Sequence, residues 1–490
     1  MTLKHLIGLV LIVLSIPVVC AVTTASRRAR EWAFFLMLAG WVVTDRMDIH
    51  FFSYDLYRGS TRGVEISMLD LLGLGVLAGH LLNPPPGAKR WFWPASLGFM
   101  LLFLVYSCFS VAISTPRLFG VFELSKMLRG IMVFLLAAWF VRSERELGLL
   151  VLALAAAVAF EGALALKERF IGGVDRVTGT LVHPNSLSMY LCLTVPVFVA
   201  ATTARFPALV RYAAGIAIGV AAVAELLTFS RAGVPIFAFV VLGAGAFCAS
   251  LRLTFKKVAV VMLAMIGVLL LMFKYWSDLR ERYNEATFQQ EIAADQFENR
   301  GQYFHIASAI LRERFFGVGL NNWSYWVSKK YARQLGINAY QDYDDIPAYI
   351  LESNAEWRDT YAPPAHDLGV ITAGELGLPG LAIFALLWAR WFQMGFVFLW
   401  KRSPDPMLRM GAGFFFATCG IFLQSVTEWV FRATPMFMTF HILMGALAGL
   451  YYQRKKARAS AHAIPARLDE RQIEAGWRQR EPAPAYGRGC

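Results

Sequence analysis

Charge is scarce in this sequence: only 17% of its 490 residues are Asp, Glu, Lys or Arg, and long stretches carry none. The uncharged stretches show no strict alternation of apolar and polar residues. That excludes the strands of a membrane barrel, which turn every second side chain toward the lumen. Cysteine is rare as well. Of the six present, Cys20, Cys108, Cys192, Cys248 and Cys419 fall inside apolar runs and Cys490 lies in the tail, so no disulfide is expected in the loops. The first run, "LIGLVLIVLSIPVVC", lacks a strongly basic start and a clear small-residue cleavage site, and reads as a retained helix rather than a signal peptide. No inverted repeat of the kind many carriers show is evident.

What is abundant is apolar length. With 57% hydrophobic residues, the chain gathers runs of about 20, enough for a helix to cross a bilayer. Continuous runs in lipid must be helical, because a helix satisfies its own backbone hydrogen bonds. Spans are expected near 3–22, 31–44, 65–82, 95–115, 124–141, 147–166, 183–203, 212–228, 233–250, 257–274, 368–391, 408–427 and 434–452. The run 31–44 is short, and 124–141 opens with Ser125, Lys126 and Arg129, so about 12 or 13 crossings are expected. The fold class is all-α, a polytopic membrane protein with one large outer loop.

Basic residues mark the cytoplasmic side. "RRAR" (27–30), "GAKR" (87–90), "RSERE" (142–146), the Arg205 to Arg211 loop, "LRLTFKK" (251–257), "KRSPDPMLR" (401–409) and the tail from "RKKAR" (454–458) all fall on one face under strict alternation. The net charge of +13 is then a topology signal plus attraction to anionic membrane lipids, and no nucleic-acid partner is called for. The remaining loops, 45–64, 116–123, 167–182, 229–232, 275–367 and 428–433, face the other side. The segment 275–365 holds 13 acidic and 9 basic residues and is the one sizeable soluble element. The expected organisation is spans over 1–274, a loop on the non-cytoplasmic side over 275–367, spans over 368–453 and a basic cytoplasmic tail over 454–490, read as disordered from its Ala, Arg and Pro content.

Within the loop, Phe304, Ala307, Leu311 and Phe315 recur at helical spacing, with Arg300 one turn earlier on the same stripe. This arginine is aimed at the protein or membrane surface; an interfacial snorkelling role is the alternative. Gly317 and Gly319 are expected to end the helix. "QDYDDIP" (341–347) groups Asp342, Asp344 and Asp345 without calcium-loop spacing, and reads as a solvated turn. In "PPAHD", Pro363 and Pro364 stop any preceding helix, and His366 and Asp367 open the next span. Asp367 suits a helix N-terminus and is also placed to orient or charge the imidazole.

The same face carries Arg176 in "GGVDRVTGTLVHPN", Arg231 in "LTFSRAGVP" and Arg432 in "TEWVFRATP". Arg231 stands in a turn of almost no length, so its charge sits at or below the membrane surface, where function is the default reading. A structural pairing with Glu225 or Glu428 is the alternative. Guanidinium forks bind phosphate bidentately at any pH, so a lipid-linked pyrophosphate suits this place. One histidine near neutrality is a plausible base for an attacking sugar hydroxyl, with the arginines neutralising the leaving group and no metal or cofactor strictly required. His183 reads as a helix-start residue and His305 as a solvated one. Trp276, Trp323, Trp326 and Trp357 suit either sugar stacking or interfacial anchoring.

These motifs resemble those of the O-antigen ligase and Wzy-type polymerase superfamily. "RVTGTLVHPN" is similar to its Arg-x-x-Gly with a following Pro-Asn, "LTFSRAG" to its Ser-Arg-Gly turn, and "HDLGVITAGELGLPG" to its His-Asn segment followed by Glu-x-Gly-x-x-Gly. "NRGQYFHIASAILRERFFGVGLNNW" looks like its loop helix ending in Gly-x-Gly. Two positions depart from the pattern: Asp367 stands where the family usually has Asn, and Phe316 where Pro is common. The resemblance, which covers roughly residues 170 to 385, implies a glycosyltransferase of the GT-C type. It would move glycan from undecaprenyl pyrophosphate to an acceptor hydroxyl at the periplasmic face of the bacterial inner membrane, in lipopolysaccharide or exopolysaccharide biosynthesis. It further implies that Arg231 and Arg300 hold the pyrophosphate, that Arg176 supports that site or the glycan, and that His366 activates the acceptor. Glu375, Gly377 and Gly380 would be packing elements. The implied partners are the lipid-linked glycan, a glycan or lipid A–core acceptor and other proteins of a polysaccharide pathway. Ligase and polymerase share this chemistry and differ in acceptor; a transporter or flippase of lipid-linked glycan is the competing class.

Overall fold

The computed structural model describes residues 3–46, 49–51, 53, 57–85, 89–248, 280, 300–336, 362, 364–400 and 403–463. The expected span 257–274, the acidic turn 341–347, Trp276, Trp357 and the tail beyond 463 lie outside the described residues.

Helices dominate. They are α1 (Leu3–Ala25), α2 (Arg27–Gly40), α3 (Met68–Leu82), α4 (Leu97–Ile113), α5 (Leu118–Phe140), α6 (Glu144–Phe170), α7 (Pro184–Thr203), α8 (Ala208–Thr228), α9 (Gly233–Cys248), α10 (Arg300–Glu313), α11 (Trp323–Trp326), α12 (Leu368–Phe396), α13 (Pro406–Ser425) and α14 (Thr434–Ala463). A π-helical turn, Val327–Tyr331, extends α11. Among the described residues, six helices are long and apolar enough to cross a membrane, and four shorter apolar ones accompany them. The chain is thus a helical, polytopic membrane protein. One feature the hydropathy pattern did not predict is a short antiparallel hairpin, β1 (Ile49–Phe51) with β2 (Val64–Ile66), Ile49 opposite Ile66. It lies within the first outer loop and the start of the third expected span. The expected span 31–44 is divided between α2 and a 3-10 turn, Trp41–Arg46. The last helix reaches Ala463, past the expected start of the tail.

Local chemistry sets the helix starts. Ser67 and Asp70 form a capping box at α3, each satisfying the other's free backbone donor. Asp405 caps α13 with Pro406 at its first position, where a missing N–H costs nothing. The charges that made 124–141 a doubtful span are internally matched. Arg129 reaches Asp70 at 3.0 Å and Glu65 at 3.4 Å. Buried Lys126 donates to the carbonyls of Phe431 at 2.8 Å and Arg432 at 2.7 Å. Lys126→Met, which keeps length and removes the donors, leaves two inward carbonyls unpaired and should cost on the order of 1–3 kcal/mol, read as a lower melting temperature in detergent.

The loops sort into two groups by contact. The basic loops meet one another: Arg27 pairs with Glu146 at 3.0 Å, Arg142 donates to the Lys89 carbonyl at 2.7 Å, the Arg205 amide to the Pro404 carbonyl at 2.8 Å, and Arg454 to the Val397 carbonyl. The loops expected opposite them form their own cluster. Buried Asn321, in the segment after α10, donates to the carbonyls of Thr61 at 2.9 Å and Phe119 at 2.8 Å and accepts from the Ser60 amide at 2.7 Å. The first outer loop, the start of α5 and the large loop are thereby fastened together.

The large loop is joined to α12 through backbone. Glycine permits φ above zero, and Gly317 (φ 78°), Gly319 (φ 105°) and Gly377 (φ 69°) all use it. Val318 donates to the Gly374 carbonyl at 3.0 Å, Gly319 to the Glu375 carbonyl at 2.8 Å, and Leu378 to the Phe315 carbonyl at 3.3 Å. Gly377 breaks the helical path of α12 at this crossing. A Cβ on Gly377 would stand 2.1 Å from the Phe315 carbonyl oxygen. Gly377→Ala should therefore cost well over about 1 kcal/mol, seen as a lowered melting temperature or loss of folded protein.

Candidate active site

His366 stands one residue before the cap of α12. Pro364 and Ala365 are buried ahead of it, and Asp367 Oδ1 accepts from the Val370 amide at 2.8 Å as the helix N-cap. The His366 side chain is 46% exposed, and its Nδ1 lies 2.8 Å from Oε2 of Glu428. Of the two roles open to Asp367, helix cap and orienting group for the imidazole, the cap is the one observed. The group hydrogen-bonded to Nδ1 is Glu428, in the turn after α13, and Asp367 Oδ1 is spent on the helix start.

Glu428 is itself held. Its Oε1 accepts from Asn185 Nδ2 at 2.6 Å, and its amide donates to the Gln424 carbonyl at 2.8 Å. The next residues are pinned by Lys126 through the Phe431 and Arg432 carbonyls. Burial alone pushes the Glu428 carboxyl up, but the hydrogen bond and charge of His366 and the Asn185 amide outweigh it and hold the group below the usual carboxylate range. An ionised carboxylate only accepts hydrogen bonds, so His366 Nδ1 carries a proton, and in the neutral ring Nε2 is the nitrogen left with the lone pair.

Asn185 extends the chain to a guanidinium. Its Oδ1 accepts from Arg176 at 3.3 Å, and Arg176 Nε donates to the Thr228 carbonyl at 3.1 Å, three residues ahead of Arg231. Arg231 is half-buried in the turn between α8 and α9. Of the two acids weighed as structural partners for it, Glu225 accepts from Ser188 at 2.7 Å and Glu428 bonds to His366 and Asn185. His183 caps α7, its Nδ1 accepting from the Asn185 amide at 3.2 Å, as its helix-start position predicted. Partial burial lowers its pKa, Glu428 opposes that, and the charges of Arg176, His366 and Arg432 reinforce it.

A cavity of about 490 Å³ opens over this chain, lined among others by Arg62, Glu65, His183, His366, Glu428 and Arg432. Arg62 comes from the first outer loop and Glu65 from the start of the third expected span, in β2; neither was singled out from sequence. The only signal for Arg62 was that the loop falls on the same face.

Arg300 is the first residue of α10. One turn on, the Tyr303 ring centroid lies 6.1 Å from that of His366, so α10 begins beside the histidine. The buried face of α10 is Tyr303, Ile306, Ala307 and Ile310, while Phe304 is 56% exposed. The apolar stripe thus lies to one side of that expected through Phe304 and Leu311, because the aromatic at 303 rather than 304 packs inward. His305 is exposed, as expected. Glu375 does more than pack: its buried carboxylate accepts from the amides of Asn321 at 2.8 Å and Trp323 at 3.1 Å, the start of α11. Trp323 is 1% exposed, which removes it as a sugar platform, and Trp326 lies under Arg314, 4.0 Å from its ring centroid. Among the described residues no three His, Cys, Asp or Glu side chains converge as metal ligands.

Residues 216–385 match the family model described as O-antigen ligase. That segment is similar to an O-antigen ligase domain. No curated protein matches the chain. The matched segment runs from α8 into α12 and carries Arg231, Arg300, His366 and Glu375. Arg176, Asn185, Glu428 and Arg432 lie outside it in sequence; contact brings Asn185 and Glu428 to His366, Arg176 to α8 and Arg432 to the same cavity. The match supports a ligase- or polymerase-type membrane enzyme rather than a carrier.

Proposed function

We propose that this O-antigen ligase-type enzyme transfers glycan from undecaprenyl pyrophosphate to an acceptor hydroxyl at the periplasmic face of the inner membrane, with His366 as general base. The observation that carries this reading is the hydrogen-bonded series Arg176–Asn185–Glu428–His366, whose last three members line one open cavity. The acceptor hydroxyl gives its proton to His366 Nε2 while its oxygen attacks the anomeric carbon. The bond from that carbon to the pyrophosphate breaks, and undecaprenyl pyrophosphate leaves as the anion. Glu428 keeps the ring in the basic tautomer and stabilises the imidazolium that forms. Arg231 and Arg300, supported by Arg176, hold the pyrophosphate, offering fixed positive charge where negative charge develops. This scheme needs no metal or cofactor. Arg432, with Arg62, lines the acceptor side. The basic loops and the end of α14 then lie in the cytoplasm, and proteins of the same polysaccharide pathway are expected partners.

The test is transfer in vesicles containing purified protein, the host's lipid-linked glycan and either a lipid A–core acceptor or a second lipid-linked glycan. A glycosylated product with one acceptor supports the reading and distinguishes ligase from polymerase; none with either overturns it. Arg231→Gln should raise the donor KM about tenfold or more, in keeping with the loss of a charge-assisted contact.

A further inference from the structure

Between the cation Arg176 and the anion Glu428 stands one neutral side chain. The two ends of the Asn185 amide are distinguished by their partners: the oxygen accepts from a guanidinium that can only donate, and the nitrogen donates to a carboxylate that can only accept. An amide is among the few side chains that satisfy both at once. Asn185 is placed for this by α7, whose first turn is fixed by Pro184 and by the His183 cap. Opposite charges at such range attract strongly where water is partly excluded, and Glu428 is only 15% exposed. Asn185 is the one side chain of the series that bonds to both groups.

We infer that Asn185 is a positioning residue that keeps Arg176 and Glu428 apart, so that the arginine serves the donor's pyrophosphate and the carboxylate serves His366. The inference rests on the reading of His366 as base. A direct Arg176–Glu428 ion pair would withdraw one group from each half of the reaction. Donor recognition and base strength would then fail together, although Asn185 touches neither reacting atom.

The experiment compares initial rates of transfer from the host's undecaprenyl-pyrophosphate-linked glycan in reconstituted vesicles. Asn185→Ala should raise the donor KM and lower kcat, each about tenfold. Adding Arg176→Gln to it removes the competing cation, so kcat should recover several-fold over Asn185→Ala while the donor KM stays high. Loss of a merely structural contact would leave the double variant no better than the single one in kcat, and that result overturns the inference. Asn185→Asp is a second arm. It gives Arg176 a carboxylate partner and cannot donate to Glu428, so kcat should fall and donor KM should rise; a KM effect alone overturns the inference as well. His366→Ala run alongside separates the two levels: full transfer there removes the base and the inference with it, whereas an inactive His366→Ala with no recovery in the double variant removes the inference alone.

Discussion

Replacing His366 by alanine is expected to reduce glycan transfer by about 10²–10⁴-fold, the usual contribution of a positioned general base, with little change in donor KM. The expectation follows from geometry rather than from the residue's type. The ring sits at the mouth of a helix start that Asp367 closes, so the backbone around it is fixed. One ring nitrogen is committed to Glu428 at 2.8 Å, and nearly half of the side chain remains exposed. A histidine serving only as a cap or a surface residue would tolerate alanine at a cost of tenths of a kcal/mol. Full transfer by folded His366→Ala protein therefore rules out the proposed base outright.

Glu428→Gln should lose nearly as much, about 10²–10⁴-fold, for a different reason. A glutamine amide can donate to Nδ1, which turns that nitrogen into the acceptor and moves the ring proton to Nε2, where the lone pair is needed. Glu428→Ala forces no tautomer and should be the milder variant, an ordering that a loss of packing does not produce. The acid side gives an independent check. Because His366 and Asn185 hold the Glu428 carboxyl below its ordinary value, the ionised form binds fewer protons folded than unfolded. Its stabilisation is complete above the ordinary carboxylate value of about 4.3 and disappears as pH falls through the lower folded value. Melting temperature should thus drop more steeply below about pH 4.5 in the wild-type protein than in Glu428→Gln, and parallel curves would mean that the pair contributes nothing.

Much of the architecture was legible because it depends on local properties. Apolar length located the helices, and basic loops that alternation put on one face are found in contact, Arg27 with Glu146 and Arg205 with Pro404. The helix starts at His183 and Asp367 were readable from capping chemistry. What escaped was long-range partnership. Glu428 lies 62 residues from His366, in "TEWVFRATP", where nothing distinguishes a catalytic neighbour from an ordinary turn carboxylate. Asp367, adjacent in sequence, looked better placed, but an N-cap side chain folds back onto its own helix. The inward phase of α10 was missed by a third of a turn because Tyr303 and Phe304 are both aromatic and only tertiary packing chooses between them. Glu375 and the glycines around it appeared as packing elements, since a backbone joint has no periodic signature.

The joint of Gly317 and Gly319 with Gly377 also bears on how such an enzyme can diversify. Its contacts are made by main chain, so almost any mutation there is lethal to the geometry and few are available to selection. The opposite walls of the cavity, around Ser60 to Arg62 and Trp429 to Ala433, lie between helices and present side chains to the open space. Adaptation to a new acceptor should accumulate in those two segments, and a library confined to them is the shortest route to altered specificity.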